Sequence, residues 1–452
     1  MFAKASVKRS EGDQNDKIMK FMKWLWLATL VTAFFGPLLA ANAHPGIFAF
    51  KILFFLHLLL FCFFLTIRKL NFNTSPQMKP YFIFFLVWLS WALLSLLWAD
   101  NIQDGFQNLW YLFSGLCLIG FSIFYFRAEK DLKILLYTLV AIFIIIISVG
   151  IWEHQTGLHL KTAGFIFEAG VISKIPRGVF KNPNDLATYL ALYLPFLIIS
   201  AKYLLGRIKT ALPALGLLAC AGTGFFLIVN AGSRANLIAV ALILLATVIV
   251  YLIQGKWRAF RNVLALITAL AVLGLVLTSI YPRLDYQIKR QYRIARHHLL
   301  SLEHAGGENS ARMILMKNAL VELNQHSLMG VGPGNAEEHL KKYQTDTFLL
   351  LALHNWWLEI LVNYGIFVFV LYIAFFCKLL VQLYVVATRA GPGVPKILAE
   401  SALVALVGFP VAAVSSSSLV YSRVMWIFFG IALCVVNLYN INAIHCDPKK
   451  GE

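Results

Sequence analysis

Four basic residues lie outside or at the edges of the long apolar runs of this chain, and their side chains could bind an anion or accept a proton. They are Arg177, Arg234, Arg312 and His354. A guanidinium group keeps its charge at physiological pH and can hold a phosphate through two parallel hydrogen bonds. A neutral imidazole can take up a proton near pH 7. The sequence therefore offers candidate anion ligands together with one candidate base.

Arg234 follows Ser233 at the start of an apolar run, where Ser233 is a suitable N-cap for a helix. Free N–H groups at a helix N-terminus attract anions. An arginine at this end opposes the helix dipole, at a cost of up to ~1 kcal/mol. Its presence is easier to explain if an anion lies between its guanidinium group and the helix N-terminus. The alternative is an arginine that extends toward the lipid headgroups.

Arg177 and Lys181 come just before an Asn-Pro-Asn-Asp tetrapeptide at 182–185. This tetrapeptide is typical of a turn, and Asp185 is a suitable N-cap for the helix that follows. The turn explains the proline and the aspartate. It does not explain two cations on the same side of the membrane as Arg234.

The longest polar stretch of the chain, residues 282–353, interrupts the apolar runs. Residues 282–300 have the spacing of an amphipathic helix, with a basic stripe that includes Arg293 and Arg296. Such a helix either lies on the membrane surface or forms a wall that binds a glycan or a phosphate.

A second helix is predicted within the same stretch at about 310–324, with Arg312 near its start. The sequence Gly-Val-Gly-Pro-Gly-Asn at 330–335 then predicts a tight turn. Taken alone, these glycines are weak evidence for a phosphate-binding loop.

His354 begins the apolar run 354–376, so that it is predicted to open a membrane span. His354, Leu358 and Gly365 would share one face of that helix. Gly365 has no side chain, which would let a neighbour approach closely. An ionisable group at the water boundary of a span is a functional candidate, and the alternative is a hydrogen-bonded structural histidine.

A membrane-embedded scaffold must position these residues. The chain has 452 residues, of which 60% are hydrophobic and 13% are charged, whereas soluble domains carry about 25% charged residues. Apolar runs of about 20 residues can cross a bilayer as helices. Twelve such runs lie at approximately 22–41, 47–67, 80–99, 107–126, 133–152, 186–203, 211–230, 236–254, 262–281, 354–376, 397–415 and 419–441. The predicted fold class is therefore all-α: a polytopic integral membrane protein of about twelve transmembrane helices with one long external helical loop.

Lysine and arginine residues concentrate in alternate connections, which favours the cytoplasm for those connections and for both termini. The predicted order is a cytoplasmic tail 1–17, nine spans within 18–281, the external loop 282–353, three spans within 354–441 and a cytoplasmic tail 442–452. The other external connections are 42–46, 100–106, 153–185, 231–235 and 415–418. The net charge of +18 is then mostly a topology signal, and no basic domain with interleaved aromatics indicates nucleic-acid binding.

The sequence lacks the common motifs for nucleotide phosphates, dinucleotides and catalytic metals, and it has no C-x-x-C spacing. Neither a metal nor another cofactor is predicted. No nucleotide pool exists outside the cytoplasm, so a transfer reaction there needs a substrate that is already activated. A lipid-linked pyrophosphate is such a substrate.

Taken in order, the motifs resemble the O-antigen ligase and polymerase superfamily of bacterial envelope glycan assembly. The matching residues are Arg-Gly-x-Phe-x-Asn-Pro-Asn from 177, Ser-Arg-x-Asn from 233, Ala-Arg from 311, the glycine turn 330–335, and His-Asn-x-x-Leu from 354 with Gly365. The resemblance covers roughly residues 170–380. One departure is Met316, which stands where an aromatic residue is common.

The resemblance implies a metal-independent, inverting, GT-C-like glycosyltransferase in the bacterial inner membrane, acting on the periplasmic face. Its donor would be a glycan on undecaprenyl pyrophosphate, and its acceptor would be a sugar hydroxyl of lipid A–core. His354 would take the acceptor proton, while Arg234 and Arg312 would stabilise the pyrophosphate. Substrate contacts would come from Arg177, Asn355, Arg293 and Arg296. Membrane lipids would surround the protein, and no nucleic-acid partner is expected.

Two alternatives to a ligase remain. A polymerase of lipid-linked repeat units would use the same donor chemistry with a different acceptor. A flippase or transporter is less favoured, because the charged residues concentrate on one face rather than at the midplane and no inverted repeat is evident.

Overall fold

The computed structural model describes residues 2–41, 44–67, 70, 74–160, 174–205, 210–255, 308–341, 352–416, 418 and 420–446. Within these ranges the chain forms helices and their connections, with one two-stranded antiparallel sheet of β1 (Ala40–Ala41) and β2 (His44–Phe48). The predicted all-α membrane fold is confirmed.

The helices of the described ranges are mostly long enough to cross a bilayer. Their bounds are α1 Phe2–Phe35, α2 Ala49–Thr66, α3 Lys79–Leu94, α4 Ile102–Tyr125, α5 Glu129–Thr156, α6 Pro183–Leu205, α7 Ala211–Asn230, α8 Arg234–Ile253, α9 Glu308–Gln325, α10 Ala336–Leu340, α11 Trp356–Arg389, α12 Val394–Ala412 and α13 Arg423–Cys446. Short 3₁₀ turns lie at Gly36–Leu39, Pro76–Met78 and Ser95–Trp98.

Eleven helical segments of the described ranges have the length and hydropathy of a membrane span, which makes the chain a multi-pass membrane protein. The predicted ninth span, 262–281, lies outside the described residues. The predicted basic helix 282–300, which carries Arg293 and Arg296, also lies outside them. The first helix begins at Phe2 and so includes almost all of the predicted tail 1–17.

Buried acidic residues join the helices at the end of the bundle that is predicted to be cytoplasmic. Glu400 of α12 is 1% exposed and accepts hydrogen bonds from Tyr203 and Tyr251, each at 3.2 Å. At the same end, Lys23 of α1 donates to Asp131 of α5 at 2.7 Å. Charged groups buried in a membrane protein are costly unless paired, and these pairs fix the relative positions of helices that are distant in sequence.

The glycine turn 330–335 packs into a break in α11. Gly365 has φ 79° and ψ 176°, and α11 therefore bends at this residue. The N–H groups of Val331 and Gly332 donate to the carbonyls of Val362 and Asn363, at 2.9 and 3.1 Å. Non-helical backbone at membrane depth is tolerated where protein satisfies its polar groups, and here the predicted external loop satisfies them.

Glycine is required on both sides of this contact. A Cβ on Gly330 would lie 2.5 Å from the backbone nitrogen of Gly365, and a Cβ on Gly365 would lie 2.4 Å from the backbone of Met329. The close approach that was predicted at Gly365 is confirmed, and its partner is the loop backbone. We call residues 328–335 and the α11 break at 362–366 the glycine clasp.

The turn also contacts the start of α4. The Asn335 side chain is fully buried, and its oxygen accepts from the Asn101 N–H at 2.7 Å. Trp98 donates to the carbonyl of Gly330 at 2.9 Å. The glycine clasp thus connects the predicted external loop to α4 and α11, which places the loop over the end of the helix bundle.

Candidate functional site

A cavity of about 460 Å³ opens at the end of the bundle that is predicted to face outward. Its lining comes from the end of α1, the start of α4, the segment before α6, the glycine turn with α10, and the connection between α12 and α13. These segments belong to, or flank, connections that the charge pattern assigned to the external side. The cavity is therefore the place where those connections converge.

Charged side chains of both signs line the cavity. Lys181 and Arg423 provide two cations, and Asp104, Asp185 and Glu337 provide three carboxylates. Such a mixture can bind an anionic group at the cations while the carboxylates accept hydrogen bonds from hydroxyl groups.

Aromatic rings hold the Arg423 side chain in place. Its guanidinium carbon lies 4.9 Å from the ring centre of Phe48, 4.7 Å from that of Phe50 and 5.7 Å from that of Tyr111. Cation–π contacts of this kind orient a guanidinium group without neutralising its charge. Arg423 is thus a positioned cation in the cavity wall.

Glu337 is the carboxylate that α10 brings into the cavity. Partial burial raises the pKa of Glu337, the nearby Asp104 carboxylate raises it further, and Lys341 lowers it. A separate small pocket of about 20 Å³ shares Glu337 and Ser418 with the cavity and is lined as well by Glu359 of α11. Glu359 is 7% exposed and accepts a hydrogen bond from Ser418. The carboxylates therefore extend from the cavity mouth toward the glycine clasp.

The connection between α12 and α13, residues 413–422, joins several of the predicted site segments. The backbone N–H of Trp356, two residues after His354, donates to the carbonyl of Ala413 at 3.0 Å. Asn236, two residues after Arg234, donates to Ser415 at 2.8 Å. The segments that carry His354 and Arg234 therefore meet the same short connection.

The segment before α6 meets this connection as well. Asp185 accepts a hydrogen bond from Ser416 at 2.6 Å, so the predicted N-cap role of Asp185 is wrong. Asn182 takes that position instead, because its side-chain oxygen accepts from the Asn184 N–H at 2.8 Å. Asp185 is thereby available to line the cavity.

His354 does not open a helix, contrary to the sequence prediction. It has φ 47°, and α11 begins two residues later at Trp356. Asn355 is the N-cap, and its side-chain oxygen accepts from the N–H groups of Trp357 and Leu358. The predicted helical face shared by His354 and Leu358 is therefore wrong. A positive φ at a non-glycine residue is strained and is concentrated at functional sites, so this observation favours a functional role for His354.

Arg177 lies in a segment whose backbone is held by a buried carboxylate. Glu153 of α5 is 0% exposed and accepts from the N–H groups of Arg177 and Gly178, at 2.7 and 2.6 Å. Burial lowers the pKa of the Arg177 guanidinium, and the Glu153 carboxylate raises it. Arg177 also donates to the carbonyl of Lys181 at 3.4 Å, which places it next to a residue of the cavity wall.

Arg234 is exposed at the first residue of α8, as predicted. Ser233 has the N-cap position but makes no side-chain cap hydrogen bond. Its hydroxyl instead accepts from Asn236 at 2.9 Å. The Ser233 side chain therefore does not cap α8, and the exposed Arg234 is the first residue of this helix.

The backbone of Arg312 lies in α9, which spans Glu308–Gln325 and confirms the helix predicted at 310–324. Its apolar face is buried, with Leu315, Ala319 and Leu323 at most 4% exposed. The Arg312 side chain lies outside the described residues.

Neither His354 nor Arg234 belongs to the lining of the cavity. Their segments contact the 413–422 connection, which contributes Ser418, Tyr421 and Ser422 to the lining. The structure brings the segments of Arg177, Arg234 and His354 to one end of the bundle. It adds Asp104, Glu337 and Arg423 of the cavity lining, which the sequence analysis did not single out.

One signal in the sequence could have identified Arg423. The predicted last span, 419–441, contained this arginine, and an ionisable residue inside a span is a functional candidate. The helix instead begins at Arg423. Glu337 and Asp104 carried no such signal, because they are distant in sequence and share the cavity only after folding.

The comparisons with known proteins agree with the motif resemblance. A family model described as O-antigen ligase matches residues 216–373, a range that holds Arg234, Arg312, the glycine turn, His354 and Gly365. The teichuronic acid biosynthesis protein TuaE of Bacillus subtilis (strain 168) is 28% identical over 364 residues, which cover 80% of this chain and 72% of the relative. The resemblance that the motifs predicted is therefore confirmed: residues 216–373 match the O-antigen ligase family.

Proposed function

We propose that the chain is a membrane glycosyltransferase of the O-antigen ligase type. It moves a glycan from undecaprenyl pyrophosphate to a sugar hydroxyl of lipid A–core on the periplasmic face of the inner membrane. The observation that carries the proposal is the cavity at the predicted external end, where two cations and three carboxylates converge. The segments of His354 and Arg234 contact the 413–422 connection, which also contributes to the lining of this cavity. The family match over 216–373 supports it.

The proposed step is a single inverting displacement without a metal. The acceptor oxygen attacks the anomeric carbon, and the bond from that carbon to the pyrophosphate oxygen breaks. The proton of the acceptor hydroxyl passes to His354, and the electron pair leaves with the undecaprenyl pyrophosphate. A positioned base contributes about 10²–10⁴-fold to such a reaction.

The leaving pyrophosphate needs fixed positive charge. Arg234 and Arg312 are the proposed ligands, because arginine can bind phosphate oxygens through two hydrogen bonds. Lys181 and Arg423 extend this positive surface into the cavity. Arg177, Arg293 and Arg296 are proposed to contact the pyrophosphate or the glycan.

The proposed role of Asn355 follows from its cap hydrogen bonds. Its side-chain oxygen is engaged in capping α11, so it would position His354 rather than the sugar. The cap fixes the residue that follows His354, and the hydrogen bond from Trp356 to Ala413 fixes the next one. The backbone that carries the imidazole is thereby held against the 413–422 connection.

A polymerase of lipid-linked repeat units is the second candidate. The Bacillus subtilis relative is named for teichuronic acid biosynthesis, which favours an acceptor other than lipid A–core. The donor chemistry and the residue roles are the same in both candidates. A flippase or transporter is less favoured, because the charged residues of the cavity lie at one end of the bundle.

A transfer assay separates the candidates. The purified protein is incubated with a lipid-linked donor, once with and once without lipid A–core. Product that forms only when the core is present supports the ligase. Lengthening of the lipid-linked glycan without the core supports the polymerase. If neither product forms under conditions in which the protein binds the donor, the transferase proposal is wrong.

Replacement of the base tests the mechanism in the same assay. We expect His354→Ala to insert into the membrane at the normal level and to lose transfer by at least about 10²-fold. Transfer at the wild-type rate by purified His354→Ala protein would contradict the assigned role.

A further inference from the structure

Two histidines and a carboxylate meet in the predicted external loop, away from the cavity. Glu322 belongs to α9, His326 follows the end of that helix, and His339 belongs to α10. One ligand atom from each of these residues lies within 4.8 Å of the others. The Glu322 carboxylate is 1% exposed, and a carboxylate so deeply buried requires a cation or a proton donor beside it.

The hydrogen bonds of His326 define which of its nitrogens could bind a metal. Its Nδ1 lies 2.8 Å from the carbonyl oxygen of Glu322. A carbonyl only accepts, so Nδ1 carries the hydrogen and Nε2 carries the lone pair. Metal-binding histidines usually donate their other ring N–H to a carbonyl or carboxylate in this way.

The His339 ring lies between two carboxylates, each at an ion-pair distance. Its Nε2 lies 3.3 Å from a carboxylate oxygen of Asp100, and its Nδ1 lies 3.3 Å from a carboxylate oxygen of Glu322. Two ligands of a tetrahedral zinc ion are separated by about 3.4 Å, as follows from bond lengths of about 2.1 Å. The distance between His339 Nδ1 and the Glu322 oxygen fits two ligands of one ion.

We propose that Glu322, His326 and His339 bind a divalent transition-metal ion, with Zn²⁺ as the best fit to a site of two imidazoles and one carboxylate. Asp100 orients His339 from behind and does not bind the ion. Water or a ligand occupies the fourth position.

A protonated His339 between two carboxylates is the alternative without a metal. It would account for the contacts of His339 with Glu322 and Asp100. It would not account for His326, whose ring centre lies 4.8 Å from that of His339 with the planes at 83°. A metal ion gives all three side chains a common partner.

The site would stabilise the position of the predicted external loop. Residues 326 and 339 flank the glycine turn, and the ion would close the chain around it. Through Asp100 the site also contacts the segment before α4. The inference does not depend on the proposed glycosyl transfer, because metal binding is measured without substrate.

The test uses the full-length protein without a histidine tag, purified in detergent and stripped of metal with EDTA. Titration with Zn²⁺, followed by removal of free ion and elemental analysis, is expected to give about one bound zinc per chain, as for other structural sites. Binding of Zn²⁺ to the folded state should also raise the midpoint of thermal unfolding.

Three substitutions and a matched control locate the ion. His326→Gln and His339→Gln are expected to lose at least about 10-fold in zinc affinity, and Asp100→Asn about 10–100-fold, as is usual for a residue that orients a ligand. His154→Gln is the control, because His154 is also near a backbone carbonyl, that of Lys174 at 2.9 Å. It should bind zinc as the wild type does.

Several outcomes would overturn the proposal. One is a wild-type protein that retains no zinc and shows no thermal shift. Another is equal zinc binding by wild type, His326→Gln and His339→Gln, which would mean that the ion binds elsewhere. If the histidine variants do not fold, Co²⁺ added to the wild type gives a second measurement. The absence of the visible absorption band of tetrahedral cobalt would then contradict the site.

Discussion

The backbone of His354 provides a way to separate its chemical role from its structural role. His354 has φ 47°, a conformation that costs a non-glycine residue about 1–3 kcal/mol. Glycine adopts it without this strain. We therefore expect His354→Gly to be more stable than His354→Ala by about 1 kcal/mol, while both lose transfer. Thermal unfolding of the purified proteins tests the difference in stability, and the transfer assay tests the loss of activity.

Ser327 is the matched control, since it also has a positive φ, of 52°, but does not line the cavity. Ser327→Gly should likewise be more stable than Ser327→Ala, and both should keep full transfer activity. If His354→Gly and His354→Ala also keep full activity, His354 is a structural residue and the proposed base is wrong.

The cations of the cavity are expected to act on donor binding. Lys181→Ala removes one charge-assisted hydrogen bond, which contributes about 1.5–3 kcal/mol, so kcat/KM for the lipid-linked donor should fall by about 10–100-fold. Arg423→Lys should also lower kcat/KM, because lysine keeps the charge but loses the planar fork of the guanidinium. Kinetics over a range of donor concentrations check both variants.

Lys130 serves as the control for charge, because it is exposed at the predicted cytoplasmic end. Lys130→Ala should leave kcat/KM unchanged. If the transfer rate depends on donor concentration in the same way in wild type and Lys181→Ala, the cavity does not hold the pyrophosphate.

At the scale of elements, the glycine clasp should be intolerant of any side chain. Gly330 and Gly365 have φ 90° and 79°, and an added Cβ on either would meet backbone within 2.5 Å. Strain and overpacking each cost about 1–3 kcal/mol. Gly330→Ala and Gly365→Ala should therefore lower the midpoint of thermal unfolding clearly.

Gly222 of α7 is the control for this pair, because an added Cβ would meet nothing within 4 Å. Gly222→Ala should be neutral or stabilising, since alanine favours a helix over glycine by about 1 kcal/mol. Equal effects of all three substitutions would contradict the close packing at the clasp.

The elements also mark the limit of what the sequence predicted. The span pattern, the helix at 310–324 and the turn at 330–335 follow from local composition and spacing. The structure confirms the helix and the turn, and it has eleven span-length apolar helices in the described ranges. The bend at Gly365 and the start of α11 at Trp356 do not, because they depend on backbone partners in the loop. The carboxylates of the cavity were missed for the same reason: Asp104 and Glu337 are distant in sequence and meet only after folding.

At the scale of the whole molecule, polar contacts differ between the two ends of the bundle. The predicted cytoplasmic end has tight pairs such as Lys23 with Asp131, at 2.7 Å. The predicted external end has a cavity lined by side chains of both charges. The proposed reaction uses the cavity at the second end, so the orientation of the bundle determines which compartment that reaction faces.

Cysteine labelling tests that orientation directly. Lys181 and Lys130 are both exposed but lie at opposite ends of the bundle. In spheroplasts, a membrane-impermeant maleimide should label Lys181→Cys strongly and leave Lys130→Cys at the level of the parent protein, whose native cysteines give the background. Permeabilised membranes should allow labelling of both. The reverse pattern in spheroplasts would show that the cavity faces the cytoplasm. A donor exposed outside the cytoplasm could then not reach it.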